Sequence, residues 1–347
     1  MRSPTQNDDR FLRATAWLDT LGLQSRVEVA SADASFRRYF RCHLEAQWTS
    51  PGGADVDAGQ TIILMDAPPP QEDVAVFVQV TEALATTGVP VPHVFAHDVE
   101  AGFALLTDFG SVDLLQTLTE FPQSVDIWYA EAGRLLHQMQ KDPMDVAASL
   151  PPYSEERLRD EMQLFVDWFC DKHLSIEMTD RFAADWQSLT DTLVRNALQQ
   201  PQVLVHRDFH CRNLMVVEGR SLGVIDHQDA MHGPWTYDLV SLLRDCYVEW
   251  PIERVRRWAC DWMNTSTLGR EVNETQRLRW FFLTGVQRQL KAAGIFARLA
   301  HRDGKSGYLP DIPRTLNYIT AIADAYPELE WIARFIDERC LPGLSDV

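Results

Sequence analysis

No Cys-x-x-Cys pair occurs among the six cysteines (Cys42, Cys170, Cys211, Cys246, Cys260 and Cys340). The ligand spacing of a zinc module and the framework of a disulfide-stapled domain are therefore both missing, and a reducing compartment is expected. No run approaches the roughly 18 apolar residues of a spanning helix. Residues 1–10 are polar and carry both charge signs, with no long apolar stretch behind them, which reads as a cytoplasmic chain without a membrane partner. Positive charge is scarce: 32 Lys and Arg against 50 Asp and Glu leave a formal charge of −18. That balance argues against a general nucleic-acid or anionic-membrane surface. Any site for phosphate groups must then gather Arg or Lys locally. Internal repeats and low-complexity segments are also absent, and with 46% apolar residues over 347 positions the chain suits two domains or one bilobal enzyme with a sizeable core.

What is present is concentrated between residues 203 and 229. Val203-Leu204-Val205, Leu214-Met215-Val216-Val217 and Leu222-Gly223-Val224-Ile225 read as short strands, with a turn over Glu218-Gly219-Arg220-Ser221. The polar loop His206-Arg207-Asp208-Phe209-His210-Cys211-Arg212-Asn213 lies after the first strand, and Asp226 ends the third. Phosphoryl transfer from ATP needs one carboxylate beside the attacking hydroxyl, with an amide oxygen and a second carboxylate to hold Mg²⁺. Asp208, Asn213 and Asp226 supply that set in that order.

This order resembles the catalytic loop and metal-binding Asp of the protein-kinase-like superfamily, and more narrowly the aminoglycoside phosphotransferase family. The resemblance implies an α+β bilobal fold: a small N-terminal nucleotide lobe with an antiparallel sheet over 1–107, and a larger, mainly helical catalytic and substrate lobe over 108–347. It implies ATP and Mg²⁺ as cofactors, Asp208 as catalytic base, and Asn213 and Asp226 as metal ligands. His206 and Asp238 are expected to brace the loop. His210 and Asp229 are open between contact with the acceptor and a structural role.

The remaining pattern fits two lobes. Helical spacing covers Phe11 to Leu23 and about 72 to 86, strands are expected at 27–29, 39–44, 61–65 and 91–97, and Thr49 to Gly59 reads as a mobile hairpin tip. Beyond Gly110 helices are expected over 128–140, from a cap at Ser154, and over about 179–199, 235–248, 252–263 and 274–300. Most of the tryptophans are expected in the core. Asp108-Phe109-Gly110 spells a kinase metal tripeptide but precedes the base. Phe103 to Gly110 is read instead as a strand running into an inter-lobe hinge, with Leu106 and Asp108 near the adenine.

The third small-lobe strand, Thr61-Ile62-Ile63-Leu64-Met65, lacks the usual phosphate-binding Lys. The loop containing Ser35, Phe36, Arg37 and Arg41 is the expected substitute. Strand alternation puts Arg37, Tyr39 and Arg41 on one face, and Arg grips phosphate bidentately; a charged edge strand is the plain alternative. Ala32 to Arg41, together with Met65-Asp66-Ala67-Pro68-Pro69 and Gln287 to Leu299, is similar to bacterial kinases that phosphorylate N-acetylmuramate and N-acetylglucosamine at the anomeric hydroxyl. That likeness implies an amino-sugar acceptor, a role in peptidoglycan recycling, and a sugar-1-phosphate nucleotidyltransferase as pathway neighbour. Arg288, Lys291 or Arg298 would then meet a substrate carboxylate, or else lie solvated on a helix surface. Arg244 and Asp245 could reach the acceptor pocket, with ordinary helix surface as the plainer expectation. An aminoglycoside-modifying enzyme and a non-catalytic binding module are the competing classes. The basic run from Arg288 to Lys305 argues against the first, and intact Asp208, Asn213 and Asp226 against the second.

Overall fold

The computed structural model describes residues 8–32, 36–141, 150–217 and 221–344. They form two compact units, one holding the described residues up to Asp113 together with Leu214–Gln228, the other Leu114–Asn213 and the described residues from Asp229 onward. The hairpin 214–228 thus packs with the first unit, a contribution that a division at 107/108 leaves out.

In the first unit the elements run α1 (Asp9–Thr20), β1 (Ser25–Ala32), β2 (Arg38–Leu44), β3 (Trp48–Thr49), β4 (Asp55–Val56), β5 (Thr61–Asp66), α2 (Val74–Thr86), β6 (Val94–Asp98) and β7 (Phe103–Thr107). Five strands make one sheet in the order β1-β2-β5-β7-β6, with every neighbour antiparallel. Alternation explains the continuous apolar runs of β5 and β7, because both sheet faces are covered. Ile62, Leu64, Phe103 and Leu105 pack with Phe11, Ala14 and Leu18 of α1. Met65, Ala104 and Leu106 pack with Val74, Phe77 and Val78 of α2. Each helix starts on an aspartate cap: Asp8 accepts from Phe11 N at 2.7 Å and Asp73 from Ala75 N at 2.8 Å. The stretch after residue 48 is a tight hairpin, with Trp48 opposite Val56 and both buried in the α1 core.

The second unit contains α3 (Leu114–Glu120), α4 (Val125–Gln140), α5 (Glu155–Leu164), α6 (Asp180–Leu198) and β8 (Gln202–Val205). The chain then enters the first unit for the hairpin β9 (Leu214–Val217) and β10 (Ser221–Val224), in antiparallel register. It returns through β11 (Met231–Pro234), which pairs with β8, and continues through α7 (Tyr237–Leu243), α8 (Ile252–Thr265), α9 (Glu274–Asp303), α10 (Ile312–Thr320), α11 (Glu330–Phe335) and α12 (Leu341–Leu344). Ser154 caps α5, as its sequence suggests, accepting from Arg157 N at 3.2 Å. What the sequence does not reveal is that α5 widens into a π-helix over Phe165–His173.

The 30-residue helix α9 is the spine of this unit, with buried side chains around most of its circumference. Gly294 lets it approach the α-to-π junction, since a methyl group there would lie 2.3 Å from the Leu164 carbonyl carbon and 2.5 Å from Phe165 N. Backbone cannot yield as a side-chain tip can. Gly294→Ala is therefore expected to destabilise the protein by about 1–3 kcal/mol or more through overpacking, read by urea unfolding; wild-type stability would show that the two segments part easily.

Candidate active site

The 206–213 loop is held from below by the start of α7. Asp238, fully buried, accepts from His206 N at 2.7 Å and Arg207 N at 2.9 Å. Burial pushes its carboxyl up to about 7 despite those two N–H donors. Ser241 Oγ donates to Arg207 O at 3.3 Å. The loop also closes on itself. His210 N and Asn213 Nδ2 both donate to Asp208 O, at 3.0 and 2.9 Å, and Asp208 N donates to His206 Nδ1 at 3.3 Å.

Arg207 occupies the left-handed region, φ 78°, a conformation that surrounding bonds must enforce. Its buried guanidinium donates to Glu161 at 2.5 Å and to Asp229 O at 3.3 Å. Glu161 also lies 3.5 Å from Lys291 Nζ and accepts from Tyr153 OH. Lys291 Nζ completes the network on Tyr237 OH at 3.2 Å. Glu161 thus neutralises two buried cations, and despite the opposing effect of burial Lys291 and Arg207 hold its carboxyl below the usual range.

Asp208 is half-buried. Burial is the largest single influence and pushes its carboxyl up, but Lys291, His210, Arg207 and Arg288 together outweigh it and hold the group below its ordinary value. His210 is lowered by burial, and its ring meets Tyr247 edge-on at 5.3 Å. Asp229 is exposed, its main-chain oxygen on Arg207. Arg288 and Lys291 are buried at 5% and 6% exposure, so the solvated-surface alternative fails for both. Arg298 is half-buried further along α9.

In the first unit, Asp226 follows β10 with φ 63°. Its Oδ1 lies 3.4 Å from Arg37 Nη2 and accepts from Gln228 Nε2 at 2.9 Å. Arg37 is 7% exposed and its Nε sits 3.8 Å from Glu72, which also accepts from Phe36 N at 3.2 Å. The Phe36 side chain is exposed; Ser35 lies outside the described residues. Arg41 instead forms a fork on Asp108, at 2.5 and 3.0 Å, and donates to Gly110 O at 3.1 Å. Leu106 is buried in β7 on the α2 face of the sheet. Phe109 lies over Gly223 of β10, where a Cβ would come within 2.5 Å of its ring, so that strand position must be glycine. The hairpin is tied down by Val216 N on Val112 O and Val224 N on Pro90 O, both 2.8 Å.

Several residues that the sequence does not single out carry this geometry. Glu161 is one. Arg38, with Arg10, clasps the buried Asp66 carboxylate, which gives a physical reason for the 32–41 and 65–69 segments to occur together. Arg244 and Asp245 are not helix surface: both are fully buried. Asp245 accepts from Cys211 N and Tyr247 N at 2.9 Å each, while Arg244 donates to Tyr318 O and lies over the Phe282 and Tyr318 rings.

Residues 26–281 match the model of the phosphotransferase enzyme family, and the chain belongs to that family. It is 42% identical over 341 residues to an N-acetylmuramate/N-acetylglucosamine kinase of Pseudomonas aeruginosa, covering 93% of this chain and 95% of that one. A protein of the same name from Pseudomonas putida is 40% identical over 348 residues, covering 96% and 97%. Among solved structures, an ADP-bound aminoglycoside phosphotransferase, APH(2'')-Ib, superposes with a TM-score of 0.58 at 12% identity, over 88% of this chain and 96% of that one; that likeness bears on the fold alone. No helix among the described residues is long and apolar enough to cross a membrane.

A carboxyl held below its unfolded value of 3.8 adds stability above that pH, and the contribution is lost as pH falls through the folded value. Carbon-13 NMR of the carboxyl carbons is expected to show the Asp208 signal, identified by its loss in Asp208→Asn, unshifted down to about pH 4. A midpoint near pH 6 would show that burial, not the cations, dominates.

Proposed function

We propose that the chain is an ATP-dependent kinase that phosphorylates the anomeric hydroxyl of N-acetylmuramate, N-acetylglucosamine or both, in the cytoplasm, during recycling of cell-wall sugars. The observation that carries this reading is the 40–42% identity to kinases of that name over nearly the whole chain, joined to an Asp208 whose surroundings favour the charged form. The product, a sugar 1-phosphate, is the substrate class of a nucleotidyltransferase, which makes such an enzyme the expected pathway neighbour.

In this mechanism Asp208 orients the acceptor hydroxyl and takes its proton as the bond to phosphorus forms. An anomeric hydroxyl is more acidic than other sugar hydroxyls, so a weakly basic carboxylate suffices. Asn213 and Asp226 would hold Mg²⁺, which supplies neutralisation of phosphate charge when bound. The donor set fits: Mg²⁺ takes oxygen ligands and keeps several waters, with one or two carboxylates. Asn213 Nδ2 donates to Asp208 O, and of the amide's two ends it is the oxygen whose chemistry suits a hard cation.

For the nucleotide, Arg37 is the better phosphate ligand, poised beside Asp226 and Glu72. Arg41 serves the end of β7 through Asp108, keeping the backbone after Leu106 in position for adenine. Phe36, whose N–H meets Glu72, belongs to the same nucleotide loop.

With Mg²⁺-ATP and a panel of N-acetylmuramate, N-acetylglucosamine, glucose and kanamycin, ADP release is expected for the two N-acetyl sugars. Turnover with kanamycin alone would remove the sugar assignment. Asp208→Asn is expected to lower kcat by at least about 10²-fold while ATP affinity holds; equal loss of both would show that Asp208 is not the base. Arg37→Ala should raise KM for ATP by about tenfold, equivalent to one phosphate contact of roughly 1.4 kcal/mol, and more than Arg41→Ala does; the reverse order would exchange their roles.

A further inference from the structure

Among the described residues, Arg288 acts on the base yet is buried without an anionic hydrogen-bond partner; Arg244, also buried without one, donates to Tyr318 O, lies over two rings and is not among the main groups acting on Asp208. Arg288 is 5% exposed. Its Nη1 donates to the Cys246 sulfur at 3.8 Å, a weak acceptor, and its Nε has no hydrogen-bond partner. Burial raises the Cys246 thiol, so the sulfur is uncharged. A guanidinium out of water costs several kcal/mol unless an anion or good acceptors meet it. The neighbouring carboxylates are already engaged: Asp245 accepts from two backbone N–H groups, and Asp208 is the proposed base.

The other cations of this region are committed or remote. Lys291 is shared between Glu161 and Tyr237. Arg207 is bound to Glu161 and the main chain of Asp229. Arg212 is exposed and lies over the Tyr247 ring, 4.2 Å from its centroid, where a carboxylate would stay hydrated and weakly held. Arg298 is ten residues from Arg288, about 15 Å along the helix. Beyond Cys246, the partner of Arg288, the packing is aromatic: Tyr247 meets His210 edge-on at 5.3 Å and Phe296 at 6.5 Å, and the buried Phe296 stacks on Tyr308 at 5.6 Å.

We infer that Arg288 is the specificity-determining residue of the acceptor site, pairing with a carboxylate carried by the sugar, so that the acid-bearing hexosamine is preferred to the neutral one. This rests on the amino-sugar reading above and deepens it. A buried, charge-assisted Arg–carboxylate pair is stronger than a neutral contact and fixes geometry as well as affinity. A neutral acceptor at the same place leaves the guanidinium underpartnered, which is the arrangement that discriminates most steeply.

The test compares kcat/KM for N-acetylmuramate with that for its methyl ester, in which the charge is masked, in the wild-type protein and in Arg288→Lys and Arg288→Met. Wild type is expected to favour the acid by about tenfold or more. Arg288→Met should bring the ratio to about one, and Arg288→Lys should keep part of it, because charge survives but the fork does not. Equal use of acid and ester by the wild type overturns the inference without reference to any variant, so a poorly folding Arg288→Met leaves it falsifiable. An unchanged ratio in a folded Arg288→Met or Arg288→Lys overturns it as well. No turnover of any hexosamine by the wild type would instead remove the reading on which it rests.

Discussion

A carboxylate among packed helices keeps its charge only where cations reach it more effectively than the apolar wall does, and this balance governs the helical unit. Asp208 is held ionised because Lys291, His210, Arg207 and Arg288 together outweigh burial, the largest single influence. Lys291 and Arg207 would repel each other without Glu161, which accepts from Arg207 and faces Lys291. The left-handed backbone at Arg207 belongs to the same construction, since the side chain must reach Glu161 while its N–H reaches Asp238. A chain of net charge −18 thus gathers several buried cations around one carboxylate.

The sheet unit distributes three arginines of one short segment by the same logic. Arg37 faces Glu72 and Asp226, Arg38 grips Asp66 and Asp8, and Arg41 holds Asp108. Alternation along β2 sends Arg38 to one face and Arg41 to the other. Identical side chains therefore take up separate tasks, and a count of basic residues in the segment says little about how many are free for phosphate.

Much of this was legible because it is local. The strand, polar loop and strand around Asp208 follow from runs of four to ten residues, and so do the caps at Ser154 and the continuous apolar β5. The illegible parts depend on distance. Glu161 reads as the polar face of an amphipathic helix, since its partners lie 46 positions on at Arg207 and far beyond at Lys291. Arg244 and Asp245 look like surface because α7 is short and buried on every side, which removes the periodic contrast that betrays a core face. The π-helical widening at Phe165–His173 has no signature in an apolar stripe that keeps its four-residue step.

The route of the chain carries one last consequence. Because Leu214–Gln228 completes the sheet unit from within the helical half of the sequence, no single contiguous gene fragment encodes that unit. A truncation after Asp113 would strip Val112 and Pro90 of their β9 and β10 partners and uncover the Phe109 ring that Gly223 receives. Evolution can therefore swap or duplicate these two halves only as an interleaved pair, which makes the enzyme a poor donor of modules and a well-protected whole.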